Sequence, residues 1–228
     1  MPEQKAHRHI RSFSRRIGRI TEHQKFALEN FLPLYGIEHT KEPLDFEKIF
    51  EKSAPLNVEI GFGMGEALIA MAKDKPHENY LGIDVHTPGV GNLLNEVNSL
   101  SLNNIRVISF DAVEVLKHQI TNKSINSFCI FFSDPWHKNK HQKRRLINES
   151  FVKILATKIK PRGKIYLATD WEHYANQMLE VFSANKSFKN LSPTNDYCER
   201  IAFRPLTKFE KRGQRLGHNV WDLVFEKN

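Results

Sequence analysis

Phe131-Phe132-Ser133-Asp134-Pro135-Trp136-His137-Lys138 is the stretch of this chain best equipped for chemistry. An apolar, aromatic run from Phe128 to Phe132 reads as a buried strand. It ends in a carboxylate, a proline that stops the ladder and a tryptophan that reads as exposed. Five of the eight residues from Lys138 to Arg145 are basic, namely Lys138, Lys140, Lys143, Arg144 and Arg145. A carboxylate and an aromatic at the carboxyl end of a strand suit a flat polar substrate. The cations behind them suit one carried on a phosphate backbone.

A second group surrounds the turn Val58-Glu59-Ile60-Gly61-Phe62-Gly63-Met64-Gly65. Glycine there admits positive φ and lets a ligand lie against bare backbone. A dinucleotide fingerprint would need glycine at position 66, which is Glu66, so the pattern is instead E-x-G-x-G-x-G. Glu59 lies within the strand end, where it is placed to meet a ligand ammonium or to support the loop. Asp84 closes the next strand, nineteen residues after Gly65, where nucleotide folds place the acid that takes both ribose hydroxyls. Asp111 closes the third and is placed to accept from an adenine amino group. Singly, each acid is explained as the cap of the following helix, worth about 1 kcal/mol. Three on successive strand ends, beside this turn, favour a nucleoside site.

Positioning these groups takes a repeated strand–turn–helix rhythm. Strands are expected at 56–60, 80–83, 105–109, 128–132 and 164–168, and helices at 65–72, 91–100, 112–119, 143–159 and 171–183. A helix capped by Thr21 runs to about Leu32, before Pro33, and residues 36–55 connect. This alternation predicts an α/β, doubly wound, mostly parallel sheet. Phe188–Leu191 and Val220–Phe225 add an antiparallel hairpin at its edge, making seven strands.

A net charge of +8, from 34 basic and 26 acidic residues, favours a polyanionic partner. Cys129 and Cys198 form no disulfide framework, which fits a reducing cytoplasm. No segment approaches the roughly 20 apolar residues of a membrane helix. Residues 1–20 read as a basic, flexible arm for nucleic acid in preference to a transit peptide, with no apolar core for secretion. His137 and His141 have helical i, i+4 spacing, yet no third ligand is evident and no metal is expected.

The E-x-G-x-G-x-G turn and the two strand-end acids resemble the S-adenosylmethionine-dependent methyltransferase fold (class I, Rossmann-like). Five blocks resemble, more narrowly, the bacterial tRNA (guanine-N7-)-methyltransferases: Glu59–Gly65, His86–Gly91, Asp134–Lys138 with Lys143–Arg145, Ala168–Trp171 and Arg204–Gly213. The resemblance runs from Arg19 to the C-terminus. It implies S-adenosylmethionine held by Glu59, Gly61, Gly63, Gly65, Asp84, Asp111 and Asp134, with Asp134 also catalytic. It implies substrate and RNA contacts from Lys138, Lys140, Lys143, Arg144, Arg145, Asp170, Thr207, Lys208, Phe209 and Glu210. The family commonly has glutamate where Asp84 stands.

The length of 228 residues suits a single domain, expected over 21–228, with the cofactor half at about 55–120 and the catalytic, RNA-facing half at about 125–228. The expected partner is tRNA, by resemblance at guanine 46 of the variable loop, with no obligate protein partner and a monomer or homodimer. Guanine N7 carries a free lone pair, so no strong base is needed. In-line positioning would supply most of the catalysis, with Asp134 orienting the base and Trp136 as a stacking surface. Two rivals remain: a methyltransferase for another base position, and a basic RNA-binding protein with a vestigial pocket.

Overall fold

The computed structural model describes residues 12–13, 19–206, 210 and 219–228. Its centre is a seven-stranded sheet in the order β3-β2-β1-β4-β5-β7-β6. The strands are β1 (Leu56–Ile60), β2 (Asn79–Ile83), β3 (Ile105–Ile108), β4 (Ile125–Phe131), β5 (Ile159–Thr169), β6 (Phe188–Asn190) and β7 (Trp221–Lys227). The first five are parallel, and β7 lies antiparallel between β5 and β6. The antiparallel edge inferred from the sequence is therefore present, with its C-terminal strand on the inside.

Helices cover both faces, so the central strands are apolar on both sides. Helices α1 (Glu22–Asn30), α4 (Glu66–Asp74) and α5 (Thr87–Ser99) pack one face through Ala27, Leu68 and Leu93. Helices α3 (Phe46–Phe50), α6 (Ala112–His118), α7 (Glu149–Lys158) and α8 (Glu172–Ser183) pack the other through Phe50, Leu116, Phe151 and Met178. Thr21 caps α1 in a reciprocal box: its hydroxyl accepts from Gln24 N, and the Gln24 side chain accepts from Thr21 N.

Local chemistry explains where the elements depart from expectation. Helix α1 stops before Pro33, but a further turn, α2 (Leu32–Tyr35), forms with the proline in its first turn, where no N–H is required. The segment 36–55 contains α3, capped by the Asp45 carboxylate on Lys48 N. Helix α5 starts at Thr87, because Pro88 is likewise accepted in a first turn. The long helix expected from Lys143 to Ile159 is two elements. A 3-10 helix spans Asn139–Arg144, and α7 begins only after Asn148, whose side chain accepts from Phe151 N. Strand β5 begins at Ile159, ahead of Pro161, with a register shift against β4 and Arg162 at φ 64° absorbing the irregularity.

The first turn of α5 lies against the glycine turn after β1. A Cβ built on Gly89 would stand 1.9 Å from the Gly63 carbonyl oxygen. Gly89→Ala is therefore expected to destabilise by about 1–3 kcal/mol. Urea unfolding should show this as a lower midpoint at unchanged slope. An unchanged midpoint would mean that this close approach is not a constraint.

Candidate functional site

Parallel register brings the expected acids to one edge. Ile60 pairs with Ile83, and Ile83 with Ile108, so the segments beyond them leave the sheet side by side. Gly61, Gly63 and Gly65 all have positive φ, at 75°, 56° and 85°. A Cβ on Gly61 or Gly63 would meet nothing within 4 Å, so open space lies over the turn. Asp84 braces it, one carboxylate oxygen accepting from Gly63 N (2.8 Å) and the other from His86 N (2.9 Å). Asp111 caps α6 through Val113 N at 2.9 Å, as a lone strand-end acid would.

Glu59 has no such structural employment. It is buried between Gly82 and Cys129 of the neighbouring strands, and its Oε2 has no hydrogen-bond partner among the described residues. Burial, with the Asp84 charge adding to it, pushes its carboxyl up to about 8. An orphaned buried acid beside bare glycine backbone, with two further acids on the rim, suits a ligand carrying an ammonium and ribose hydroxyls. S-adenosylmethionine has both, so the residues present fit it.

The turn after β4 carries Asp134, which is exposed. One of its oxygens accepts from Trp136 N at 3.0 Å, and the other has no partner among the described residues. Phe132 and Trp136, on either side, have φ 53° and 43°, a left-handed conformation rare for bulky residues. Trp136 is not the exposed stacking surface the sequence suggested. The Arg144 guanidinium lies 3.9 Å from its ring centroid, and its Nε1 donates to the Ser12 carbonyl. Arg144 Nη2 donates to the Phe13 carbonyl. The exposed tryptophan at this edge is Trp171, beside exposed Asp170 and edge-to-face with His137 at 4.2 Å.

Lys138, Lys140 and Lys143 are exposed, as an RNA-facing run requires. Arg145 is not: it is 1% exposed, so its assignment to RNA is corrected. The 3-10 helix ends there, and the side chain turns inward under the Asp134 turn. Glu210 is corrected likewise. It is buried in a bidentate pair with Arg204 (2.6 and 3.0 Å), which also holds Asp222, so it is an anchor and not a group presented to substrate. Thr207, Lys208 and Phe209 lie outside the described residues. His137 and His141 turn to different aromatic rings, Trp171 and Trp136.

The chain matches a family described as putative methyltransferase over residues 53–223. A tRNA (guanine-N(7)-)-methyltransferase of Yersinia enterocolitica is 51% identical over 223 residues, 98% of this chain and 93% of that one. Its counterpart in Salmonella typhimurium is 51% identical over 220 residues, 96% and 92% of the two chains. This chain belongs to the tRNA (guanine-N(7)-)-methyltransferase family. The fold has distant solved likenesses: the 16S rRNA methyltransferase KamB, at 13% identity and TM-score 0.59, covers 82% of this chain and 95% of its own. The aminoglycoside resistance methyltransferase NpmB1, at 13% and 0.53, covers 80% and 92%.

What the sequence reading missed in this tRNA (guanine-N(7)-)-methyltransferase family member is the inner support. Arg204 and Asp222 bind the tail to the sheet, and Arg204 lies 5.1 Å from the Phe132 ring centroid. The only signal was the Arg-Pro-Leu-Thr block itself, which does not say which of its charges are buried.

Glu59 yields a test with a defined sign. Its ordinary value is 4.5 and its folded value about 8, so the folded chain holds an extra proton between them. Stability is therefore lost as pH rises through that window. Glu59→Gln removes the loss, and its stability relative to the parent should rise from pH 5 to pH 8, by on the order of a few kcal/mol. The same change should weaken S-adenosylmethionine binding by about tenfold or more. Urea unfolding across pH and titration calorimetry check both. Parallel pH curves for variant and parent would show that this acid carries no burial penalty.

Proposed function

We propose that this chain methylates N7 of a guanine in tRNA, at position 46 of the variable loop, using S-adenosylmethionine bound over the glycine turn. The observation that carries the reading is the meeting, at one sheet edge, of an orphaned buried acid, an open glycine turn and an exposed aspartate backed by lysines. It agrees with 51% identity to tRNA (guanine-N(7)-)-methyltransferases over nearly the whole chain.

Bound S-adenosylmethionine supplies an electrophilic methyl carbon. Glu59 would hold its ammonium, Asp84 its ribose and Asp111 its adenine, while Gly61, Gly63 and Gly65 leave room for it. Guanine N7 needs no deprotonation, so the chain's task is orientation and charge. The free oxygen of Asp134 would take the hydrogen-bond donors of guanine. It would also face the positive charge that builds on the ring, favouring the transition state over the neutral ground state. Trp171, more exposed than Trp136, would offer a stacking surface for a base splayed out of its stack, with Asp170 beside it. Lys138, Lys140 and Lys143 would follow the RNA backbone, joined by Arg144 from the rim.

In this reading residues 21–228 form one catalytic domain and 1–20 an arm on the RNA side. The contacts of Ser12 and Phe13 with Trp136 and Arg144 support that placement. The enzyme works in the cytoplasm as a monomer or homodimer.

Unmodified tRNA transcript with methyl-labelled S-adenosylmethionine should incorporate label, mapped by cleavage chemistry selective for N7-methylguanine. Asp134→Ala should lower the rate by roughly a hundredfold or more. Label without that cleavage would mean another base position is the target. Lys143→Ala should weaken tRNA binding and reduce the slope of log affinity against log salt by about 1, with S-adenosylmethionine affinity unchanged. An equal loss of S-adenosylmethionine affinity would disprove the separation of the two sites.

A further inference from the structure

We propose that Arg145 is the positioning residue of Asp134, acting through the peptide plane between Pro135 and Trp136. The inference rests on the catalytic reading of Asp134. Arg145 Nε donates to the Pro135 carbonyl at 2.8 Å. That carbonyl and the Trp136 N–H belong to one peptide unit, which is planar and rigid. The N–H of the same unit donates to Asp134 Oδ1 at 3.0 Å. Guanidinium, peptide and carboxylate therefore form one hydrogen-bonded chain. Its links polarise one another, so the cation strengthens the N–H that aims the carboxylate.

The other end of the guanidinium is fixed to α8. Nη1 stands 3.0 Å from His173 Nδ1 and donates to Gln177 Oε1 at 2.6 Å. The charge also lies 4.9 Å from the Tyr174 ring centroid. Tyr174 accepts at its hydroxyl from Ser133 Oγ (3.3 Å) and Ile147 N (3.0 Å), so α8 grips the Asp134 turn from both flanks. Helix α8 follows directly on Asp170 and Trp171. Arg145 thus sets the catalytic carboxylate relative to the second substrate-facing loop.

Stability alone does not account for this arginine. No carboxylate pairs with it among the described residues, and Nη2 is buried without a partner. Burial also pulls its guanidinium below the ordinary arginine value. Even buried ion pairs are often replaced by apolar residues without loss of stability, and a cation with no paired carboxylate has less to offset its burial. Arg204, the other buried arginine among the described residues, has two carboxylates. What an apolar side chain at 145 lacks is a donor to hold the Pro135 carbonyl.

The test compares Arg145→Met, Arg145→Lys, Asp134→Ala and the double variant Asp134→Ala with Arg145→Met, in the full chain with tRNA transcript. Arg145→Met should lower kcat about tenfold to a hundredfold. KM for tRNA, the salt slope of tRNA binding and S-adenosylmethionine affinity by calorimetry should stay at parental values. Arg145→Lys should recover part of the rate. In the Asp134→Ala background Arg145→Met should cost nothing further, because its effect passes through the missing carboxylate.

A flattened salt slope would make Arg145 an RNA contact and overturn the inference. So would an equal loss of rate in both backgrounds, or an unchanged kcat. Should methionine at 145 prevent folding, Arg145→Lys carries the comparison: a lowered kcat that vanishes in the Asp134→Ala background supports it, and parental kcat overturns it. If Asp134→Ala itself reacts at the parental rate, the catalytic reading of Asp134 fails. If Asp134→Ala is slowed while Arg145→Met keeps the parental kcat, only the inference about Arg145 fails.

Discussion

The parallel pairing of β1 with β2 and β4 puts Glu59 level with Gly82 and Cys129, one residue short of the sheet's carboxyl edge. The glycine turn and the acids beside it depend on that alignment. With β1 in this register, the glycine turn leaves the sheet beside Asp84, which then reaches both the Gly63 and His86 amides. Parallel pairing of β4 with β5 likewise places Phe131 level with Ala168. The Asp134 and Asp170 segments therefore leave the sheet as neighbours. Slipping β1 by one residue would turn Glu59 to the opposite face and remove the buried acid from the turn.

Burial has opposite meanings at Arg204, Glu59 and Arg145. Arg204 is compensated by Glu210 and Asp222, and so can anchor the tail without exposing charge. Glu59 is uncompensated, and the free protein meets the cost by keeping the carboxyl protonated up to about pH 8. A cationic ligand would reverse that preference, so the energy withheld in the free state becomes available on binding. Arg145 cannot shed its proton, and among the described residues no carboxylate pairs with it; the Pro135 carbonyl and Gln177 Oε1 accept from it. On the proposed roles, the buried acid without a partner and the buried cation without a carboxylate stand where the fold would serve a ligand, whereas the paired charges of Arg204, Glu210 and Asp222 hold the tail.

Strands, helix order and the acids of the carboxyl edge were legible because apolar runs and strand-end polar residues survive any detail of packing. The run Lys143-Arg144-Arg145 was not, since three adjacent cations look alike in sequence. The 3-10 helix ending at Arg144 sends them three ways: Lys143 to solvent, Arg144 onto Trp136, and Arg145 into the interior. An α-helical reading of 143–159 could not separate them. Trp136 failed for a related reason. A proline before it and lysines after it argue for exposure, but the residue covering its ring is itself one of those cations. Glu210 was assigned by its block, and its buried partner Arg204 lies six residues earlier in that block.

The turn bearing Asp134 is also the most strained in the site, with Phe132 and Trp136 both left-handed at a cost of about 1 kcal/mol or more each. Such a conformation persists only where its surroundings over-determine it, and here three arginines do so. Arg204 lies against Phe132, whose N–H donates to the Ala168 carbonyl at 2.8 Å. Arg145 holds the Pro135 carbonyl, and Arg144 covers the Trp136 ring. Arg204 reaches the turn from the tail, while Arg144 and Arg145 reach it from the end of the 3-10 helix, Arg144 on the side of Ser12 and Phe13 and Arg145 on the side of α8. RNA engaging Arg144 would thus act on the same turn that Arg145 holds. On the proposed roles, substrate binding and orientation of Asp134 would be linked through one strained peptide segment.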